Sequence, residues 1–217
     1  MRFASAGRFC AVGISLCVLA VAPALAATYN EGVSGDLSNN QASPTPLSLT
    51  LGSNSIIGNV NGSGGDSQDW IALTVPTGLE MTSYVNAVYS STDSQGFTGF
   101  QVGASFVGSA FTAGSYAGYA HFGTGATNSG INGGAPTTTV GVDLLPLMAN
   151  PSVAAGATGF TPPLGAGTYT FLIQQLGAST NYEFDINVSA VPEPATLGLL
   201  GFGGVGAIAA LSLRRKR

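Results

Sequence analysis

Apolar and polar side chains alternate with a period of two along much of the chain between residues 47 and 190. The segment 69–75 (DWIALTV) places Trp70, Ala72 and Thr74 on one face and Ile71, Leu73 and Val75 on the other, as expected of a β-strand. Similar short runs cover residues 47–51, 55–60, 80–90, 97–107, 137–145, 169–173 and 182–188. No segment of this region has a long helical period. The pattern predicts an all-β fold, an antiparallel β-sandwich with jelly-roll-like connections.

Turn-forming residues separate these runs. Residues 177–180 (GAST) lie between the last two predicted strands and favour an antiparallel hairpin of 169–173 with 182–188. Residues 108–167 are rich in Gly, Ala, Thr and Ser, and they fit loops, a low-complexity insertion or Gly-rich edge strands. Residues 27–46 are polar and aperiodic, which predicts an irregular leader or a loosely attached first strand.

The N-terminus has the order of parts of a secretory signal peptide. Arg2 and Arg8 precede an apolar run at 11–22, which is too short to span a bilayer stably. Small residues follow at the expected cleavage site, so residues 1–26 are predicted to be removed by signal peptidase after export through the Sec machinery. The cleavage-site residues are Ala24, Ala26 and Ala27.

A second apolar segment lies near the C-terminus. Residues 195–213 carry no charge over 19 positions, and a helix of that length measures about 28 Å, close to the hydrocarbon thickness of a bilayer. Four basic residues follow directly, and such residues stay on the cytoplasmic side. They are Arg214, Arg215, Lys216 and Arg217. This pattern predicts a single transmembrane helix, with residues 27–190 outside the cytoplasm.

Hydropathy alone is compatible with a plain membrane anchor, but the residues that precede the apolar segment are more specific. Val191, Pro192, Glu193 and Pro194 are followed by a Gly-rich apolar helix and then by the basic tail 214–217. This order over 191–217 resembles the PEP-CTERM sorting signal of exopolysaccharide-producing Gram-negative bacteria. The resemblance implies recognition and cleavage near Pro-Glu-Pro by an exosortase, a membrane cysteine protease, and transfer to the cell surface or extracellular matrix. Two prolines keep the site extended and accessible.

Charge is distributed very unevenly. All 6 basic residues belong to the two terminal segments, whereas nine of the 10 carboxylates lie between residues 27 and 190, so this region has a net charge of −9 with His121 neutral. Such a region repels nucleic acid and cannot clamp a phosphoryl group. Both cysteines, Cys10 and Cys17, lie in the signal peptide, so the exported part has no thiol and no disulfide.

Two blocks of the exported region resemble the bacterial pre-peptidase C-terminal domain, a small β-sandwich appended to secreted enzymes and surface proteins. The blocks are 65–78 (GDSQDWIALTVPTG) and 164–170 (LGAGTYT), the latter followed by the closing strand 182–188. The resemblance implies a β-sandwich over 47–190, with a Gly-rich insertion around 108–167, and an accessory role without catalysis.

No enzymatic constellation emerges from the sequence. Ser105 lies in a sequence that lacks the final Gly of a nucleophile elbow, and His121 is the only histidine available as a base. Glu31, Glu80 and Glu183 are the candidate acids for glycoside hydrolysis, but the alternation around Glu183 predicts a solvent-facing position. The chain is therefore predicted not to be an enzyme.

Two kinds of binding remain open as alternatives. Asn59, Asn61, Asp66 and Asp69 offer oxygen ligands for Ca²⁺ around one Gly-rich loop, although a solvated turn explains the same residues. Aromatic side chains offer stacking surfaces for a polysaccharide, although aromatic residues in strands commonly pack between sheets. They are Trp70, Tyr84, Tyr89, Tyr116, Tyr119, Tyr169 and Tyr182. The predicted function is a structural or adhesive role in an exopolysaccharide or biofilm matrix, with a polysaccharide- or calcium-binding module as the alternative.

Overall fold

The computed structural model describes residues 28–192, and nine strands within this range form two packed sheets. The strands are β1 (Thr28–Asn30), β2 (Thr45–Ser48), β3 (Gly52–Asn61), β4 (Gln68–Val75), β5 (Leu79–Ser91), β6 (Gln95–Val102), β7 (Gly118–Gly123), β8 (Gly167–Gln174) and β9 (Ser179–Ala190). There are two one-turn α-helices, α1 (Glu31–Ser34) and α2 (Leu145–Met148), and short 3-10 turns at Gly62–Gly64, Ala113–Ser115 and Asn132–Gly134. The predicted signal peptide 1–26 and transmembrane helix 195–213 lie outside the described residues.

The two sheets have the orders β1-β3-β9-β5 and β2-β4-β8-β6-β7. This arrangement confirms the predicted β-sandwich. Most pairs are antiparallel, but β1 joins β3 and β2 joins β4 in parallel, so the prediction of a purely antiparallel sandwich is corrected at two sheet edges. Both exceptions are short strands, β1 within the N-terminal segment 27–46 and β2 across its end. This segment was predicted as an irregular leader or a loosely attached first strand, and in the structure it adds backbone hydrogen bonds to both sheets.

Aromatic side chains fill the space between the sheets. Tyr84 of β5 stacks on Phe184 of β9 with ring centroids 4.5 Å apart, and it reaches across to Phe171 of β8 at 5.0 Å. Phe100 of β6 stacks on Phe171 at 4.9 Å. Since residues 27–190 contain no basic side chain and no cysteine, this apolar burial and the strand hydrogen bonds must supply most of the stability.

The predicted hairpin between the last two strands is wrong. β8 pairs with β4 and β6, whereas β9 pairs with β3 and β5 in the other sheet. Both strands turn one face to the core, so their alternation is the same whether the chain returns within one sheet or crosses to the opposite sheet.

The Gly-rich region 108–167 contains one strand, and most of the rest of it is irregular. β7 forms an edge of the five-stranded sheet, whereas the predicted strand 137–145 is replaced by isolated bridges and the start of α2. Asp143 Oδ1 accepts hydrogen bonds from the backbone N–H groups of Tyr84 (2.9 Å) and Leu145 (3.1 Å). The bond to Tyr84 attaches the irregular segment around Asp143 to β5. No helix among residues 28–192 is long and apolar enough to cross a membrane.

Candidate functional site

Three carboxylates converge where the N-terminal segment meets the start of β4. Oxygen atoms of Glu31, Asp36 and Asp69 all lie within 4.8 Å of one another, and we call these residues the acidic cluster. Asp36 is exposed, Glu31 is half-buried and Asp69 is fully buried, so the cluster has one side open to solvent. Asp66 lies close enough to raise the pKa values of Glu31 and Asp69.

Backbone contacts bring the distant parts of the cluster together. β1 runs parallel to β3 and delivers Glu31 at the start of α1, where its Oε2 accepts a hydrogen bond from Asn59 N–H at 2.6 Å. Its Oε1 accepts a hydrogen bond from Leu37 N–H at 3.1 Å. Leu37 is buried, and Trp70 N–H donates to the Ser38 carbonyl at 2.8 Å, which holds Asp36 beside Asp69.

Asp69 is the most unusual carboxylate of the described chain. The Tyr182 hydroxyl donates a hydrogen bond to its Oδ2 at 2.5 Å, but its buried Oδ1 has no hydrogen-bond partner within residues 28–192. The pKa of Asp69 is raised to about 8, mainly by burial and in addition by the neighbouring carboxylates Glu31, Asp66 and Asp36, against the lowering effect of the Tyr182 hydrogen bond. A buried carboxylate without a cationic partner is destabilising when it is ionised.

The same effects act on two neighbouring groups. The pKa of Glu31 is raised by desolvation, against the lowering effect of its two backbone hydrogen bonds. Desolvation also raises the pKa of Asp66, whose buried Oδ1 has no partner in the range 28–192. No Lys or Arg occurs between residues 27 and 190 to neutralise these groups.

The residues fit a calcium ion. Ca²⁺ is bound by oxygen ligands at about 2.3–2.6 Å, so ligands on opposite sides of the ion are about 5 Å apart, consistent with the spacing of the acidic cluster. The cluster offers oxygen atoms without thiolate or imidazole, which favours a hard cation over zinc or copper. The unpaired Oδ1 of Asp69 is the observation that points most directly to a bound ion.

The sequence prediction identified part of this site. Asp69 belongs to the acidic cluster and Asp66 lies beside it, but Asn61 caps a turn by accepting a hydrogen bond from Gly64 N–H at 3.1 Å. The Asn59 side chain donates to Asn181 Oδ1 at 2.9 Å, and only its backbone touches the cluster. Glu31 was predicted only as a candidate catalytic acid, and the sequence pattern did not single out Asp36. Glu80 lies on β5 and Glu183 on β9, outside the cluster.

Gly58 on β3 provides the space that the cluster needs. A Cβ atom at this position would lie 2.6 Å from Tyr182 Cζ and 2.9 Å from Glu31 Oε2. We expect Gly58→Ala to displace both side chains, to lower the free energy of unfolding by about 1–3 kcal/mol and to weaken calcium binding. Thermal denaturation with and without Ca²⁺ measures both effects.

Gly165→Ala is the matched control for Gly58→Ala, since a Cβ atom at Gly165 would contact nothing within 4 Å. Equal melting temperatures for the two variants would contradict the close packing of Gly58 against Tyr182 and Glu31.

Most of the aromatic residues that sequence analysis considered for stacking are buried. Trp70, Tyr84, Tyr116 and Tyr182 are at most 2% exposed, and Tyr89 and Tyr169 are 8% exposed. Tyr119 differs, because it is half-buried and lines a cleft on the outer face of the five-stranded sheet, together with His121.

The structure of the last described residues agrees with a boundary between the sandwich and a separate C-terminal segment. β9 ends at Ala190, and Val191 N–H donates to the Gly78 carbonyl at 2.9 Å. Residues 190–216 match the family model described as the PEP-CTERM protein-sorting motif. The chain carries a PEP-CTERM sorting motif. This motif marks an exported protein for exosortase-dependent sorting to the cell surface.

The PEP-CTERM match begins at Ala190, the last residue of β9. Of the sorting residues predicted from the sequence, Val191 and Pro192 are described by the structure, and Glu193, Pro194 and the basic tail lie outside the described residues. The signal peptidase site at 24–27 also lies outside them.

Comparison with solved structures gives one named neighbour. The chain is similar to the pre-peptidase C-terminal domain of a collagenase from Bacillus anthracis, with 13% sequence identity and a TM-score of 0.32. The similarity covers 70% of this chain and 98% of the collagenase domain. It is the type of domain that the sequence resemblance named. No curated protein matches the chain.

Proposed function

We propose that the exported domain is a non-catalytic, calcium-binding module with a structural or adhesive role in an exopolysaccharide or biofilm matrix. The observation that carries the calcium part is the unpaired, fully buried Oδ1 of Asp69 within 4.8 Å of two further carboxylates. The PEP-CTERM motif supports the location, because it directs the protein to the cell surface.

In this proposal, calcium neutralises the cluster and joins two parts of the chain. Glu31 and Asp36 belong to the N-terminal segment, whereas Asp69 opens β4. A divalent cation shared by all three would attach β1 and α1 to the sandwich and remove the repulsion between the carboxylates.

The non-catalytic part of the proposal is supported by the positions of the candidate catalytic residues. His121 lies on β7, where its Nδ1 donates to the Thr127 carbonyl at 3.0 Å, whereas Ser105 lies in the loop after β6 and Glu183 lies on β9 in the other sheet. Residues from separate elements and sheets do not form a nucleophile–base pair unless a specific contact joins them.

Isothermal titration calorimetry of the full chain, purified in mild detergent and stripped with a chelator, tests the calcium site. We expect one Ca²⁺ per chain, with binding lost in Asp69→Asn, which keeps the size of the side chain and removes its charge. Asp185→Asn on β9 makes the same charge change outside the cluster and should bind Ca²⁺ like the unmodified protein. Absence of binding, or equal binding by both variants, would disprove the calcium proposal.

A further inference from the structure

A cleft of about 460 Å³ opens on the face of the five-stranded sheet that points away from the core. Its floor is formed by β6 and β7, and the loop between these strands forms one wall. The buried part of this face is a separate apolar cluster of Trp70, Phe106, Tyr116 and Leu172, on which the loop packs. We call the remaining open space the aromatic cleft.

Aromatic rings form the apolar surface of the aromatic cleft. Phe97 lies centrally, with its ring centroid 5.6 Å from that of Tyr119 and 5.8 Å from that of His121. Phe111 and Leu176 stand at the rim, 74% and 57% exposed. Large exposed apolar side chains beside half-buried rings are characteristic of a binding surface.

A buried amide in the aromatic cleft lacks a partner. Gln174 ends β8, is 6% exposed and lines the cleft, yet its Nε2 has no hydrogen-bond partner within residues 28–192. Leaving a buried donor unpaired is unfavourable. A ligand with a hydroxyl or ether oxygen would satisfy this group.

The charges exclude several ligand classes. Asp93 is the only charged residue that lines the aromatic cleft, and no Lys or Arg occurs in 27–190. An anionic polymer such as a nucleic acid or a polyuronate is therefore repelled. Apart from Asp93, the lining is uncharged and fits a neutral ligand with apolar C–H faces for the rings and oxygen atoms for the amide groups.

We propose that the aromatic cleft binds a neutral glycan chain, with Phe97, Tyr119 and Phe111 stacking on sugar rings and Gln174 donating to a sugar oxygen. The Nδ1–H of His121 is engaged by the Thr127 carbonyl, which leaves Nε2 as an acceptor for a sugar hydroxyl. This inference rests on the proposed matrix role for the source of the glycan, and it names the class of ligand that the module holds.

Titration calorimetry of the full chain with three neutral hexasaccharides, cellohexaose, mannohexaose and maltohexaose, tests the inference. We expect at least one of them to bind. Phe111→Ala should weaken that binding by about tenfold, since it removes an exposed ring without disturbing the core. Val102→Ala is the matched control, because Val102 is 67% exposed and lies outside the cleft.

Gln174→Leu separates a binding role from a structural role. Removing an unpaired buried amide should leave thermal stability equal or higher, while hexasaccharide binding falls. A loss of stability together with binding would indicate a structural role and overturn the assignment of Gln174.

The inference would be overturned if none of the three neutral hexasaccharides bound. It would also be overturned if hexagalacturonate or hexalysine bound more tightly than all of them, since the ligand would then be an acidic glycan or a basic peptide. Ca²⁺ titrations of the same samples distinguish the two proposals. Intact calcium binding without glycan binding removes only the glycan inference, and the reverse result removes only the calcium proposal.

Discussion

In the absence of divalent cations, the protein should lose stability as the pH rises from about 4 to about 8. The pKa of Asp69 is raised from its ordinary value of 3.8 to about 8 in the folded state. Between these values the unfolded chain has released the proton while the folded protein retains it, so unfolding becomes more favourable with each unit of pH. One unit corresponds to about 1.4 kcal/mol, so the loss amounts to several kcal/mol.

The surroundings of Asp69 have opposing effects on its pKa. Desolvation raises the pKa most, and the carboxylates of Glu31, Asp66 and Asp36, which approach from the N-terminal segment and the loop before β4, raise it further, whereas the hydrogen bond that Tyr182 donates from β9 lowers it. The pKa values of Glu31 and Asp66 are also raised, mainly by desolvation. No basic side chain in the exported region opposes them. The stability that the protonated Asp69 side chain contributes to the folded state is fully present below pH 4 and is lost above pH 8.

Thermal denaturation of the full chain at pH 5 and pH 8 in the presence of a chelator measures this effect. We expect the melting temperature to be lower at pH 8 by roughly 10 °C, given about 2–4 °C per kcal/mol for a domain of this size. Saturating Ca²⁺ should remove most of the difference, since the ion stabilises the ionised cluster.

Asp69→Asn is the sharpest control for the pH effect. It keeps an acceptor for the Tyr182 hydroxyl but has no titratable group, so its melting temperature should depend much less on pH and should exceed that of the unmodified protein at pH 8 without Ca²⁺. A melting temperature of the unmodified protein that increases from pH 5 to pH 8 would contradict the raised pKa of Asp69.

Replacing Pro192, Glu193 and Pro194 together by alanine should leave the protein in the membrane. The PEP-CTERM motif spans 190–216, and Pro192 and Pro194 are residue types that disfavour regular helix and sheet pairing. With three alanines the predicted helix at 195–213 extends toward the sandwich, and the exosortase loses its recognition sequence. Fractionation of cells followed by mass spectrometry of the C-terminal peptide measures the outcome.

Thr196→Ala changes a neighbouring residue and leaves Pro-Glu-Pro intact, so this variant should be processed like the unmodified protein. Unmodified protein that retains residues up to Arg217 in its mature form would make the tail a permanent anchor and would contradict processing. Normal processing of the triple-alanine variant would show that the three residues are not required for recognition.

The strands were predictable where alternation was strong. The pattern in 69–75 corresponds to β4, and 80–90 corresponds to most of β5. β7 agrees with one of the alternatives for 108–167, a Gly-rich edge strand, but its bounds were not predicted, because Gly118–Gly123 lies in a Gly-rich background and its pairing with β6 depends on long-range hydrogen bonds. Local pattern also carries no information about which sheet a strand joins, which explains the incorrect hairpin.

The acidic cluster was only partly predictable for a related reason. Asp66 and Asp69 stand out because they share one Gly-rich loop, whereas Glu31 and Asp36 lie in a polar segment with no periodicity. Their position depends on the parallel pairing of β1 with β3 and on the hydrogen bond between Glu31 and Asn59. The absence of Lys and Arg from residues 27–190 was the available signal that carboxylates brought together there would have no cationic side chain to neutralise them.

The hydrogen bond from Val191 N–H to the Gly78 carbonyl sets where the sandwich ends and therefore how many residues remain before the predicted membrane helix. Only residues 192–194 separate it from the predicted membrane helix, and three extended residues span about 10 Å. Before processing, the end of the sandwich that contains Gly78 and Ala190 would therefore stand almost on the lipid headgroups, with little freedom to tilt. An exosortase would have to cut in that narrow gap, and a protein attached afterwards through this end would project from its anchor in one nearly fixed direction.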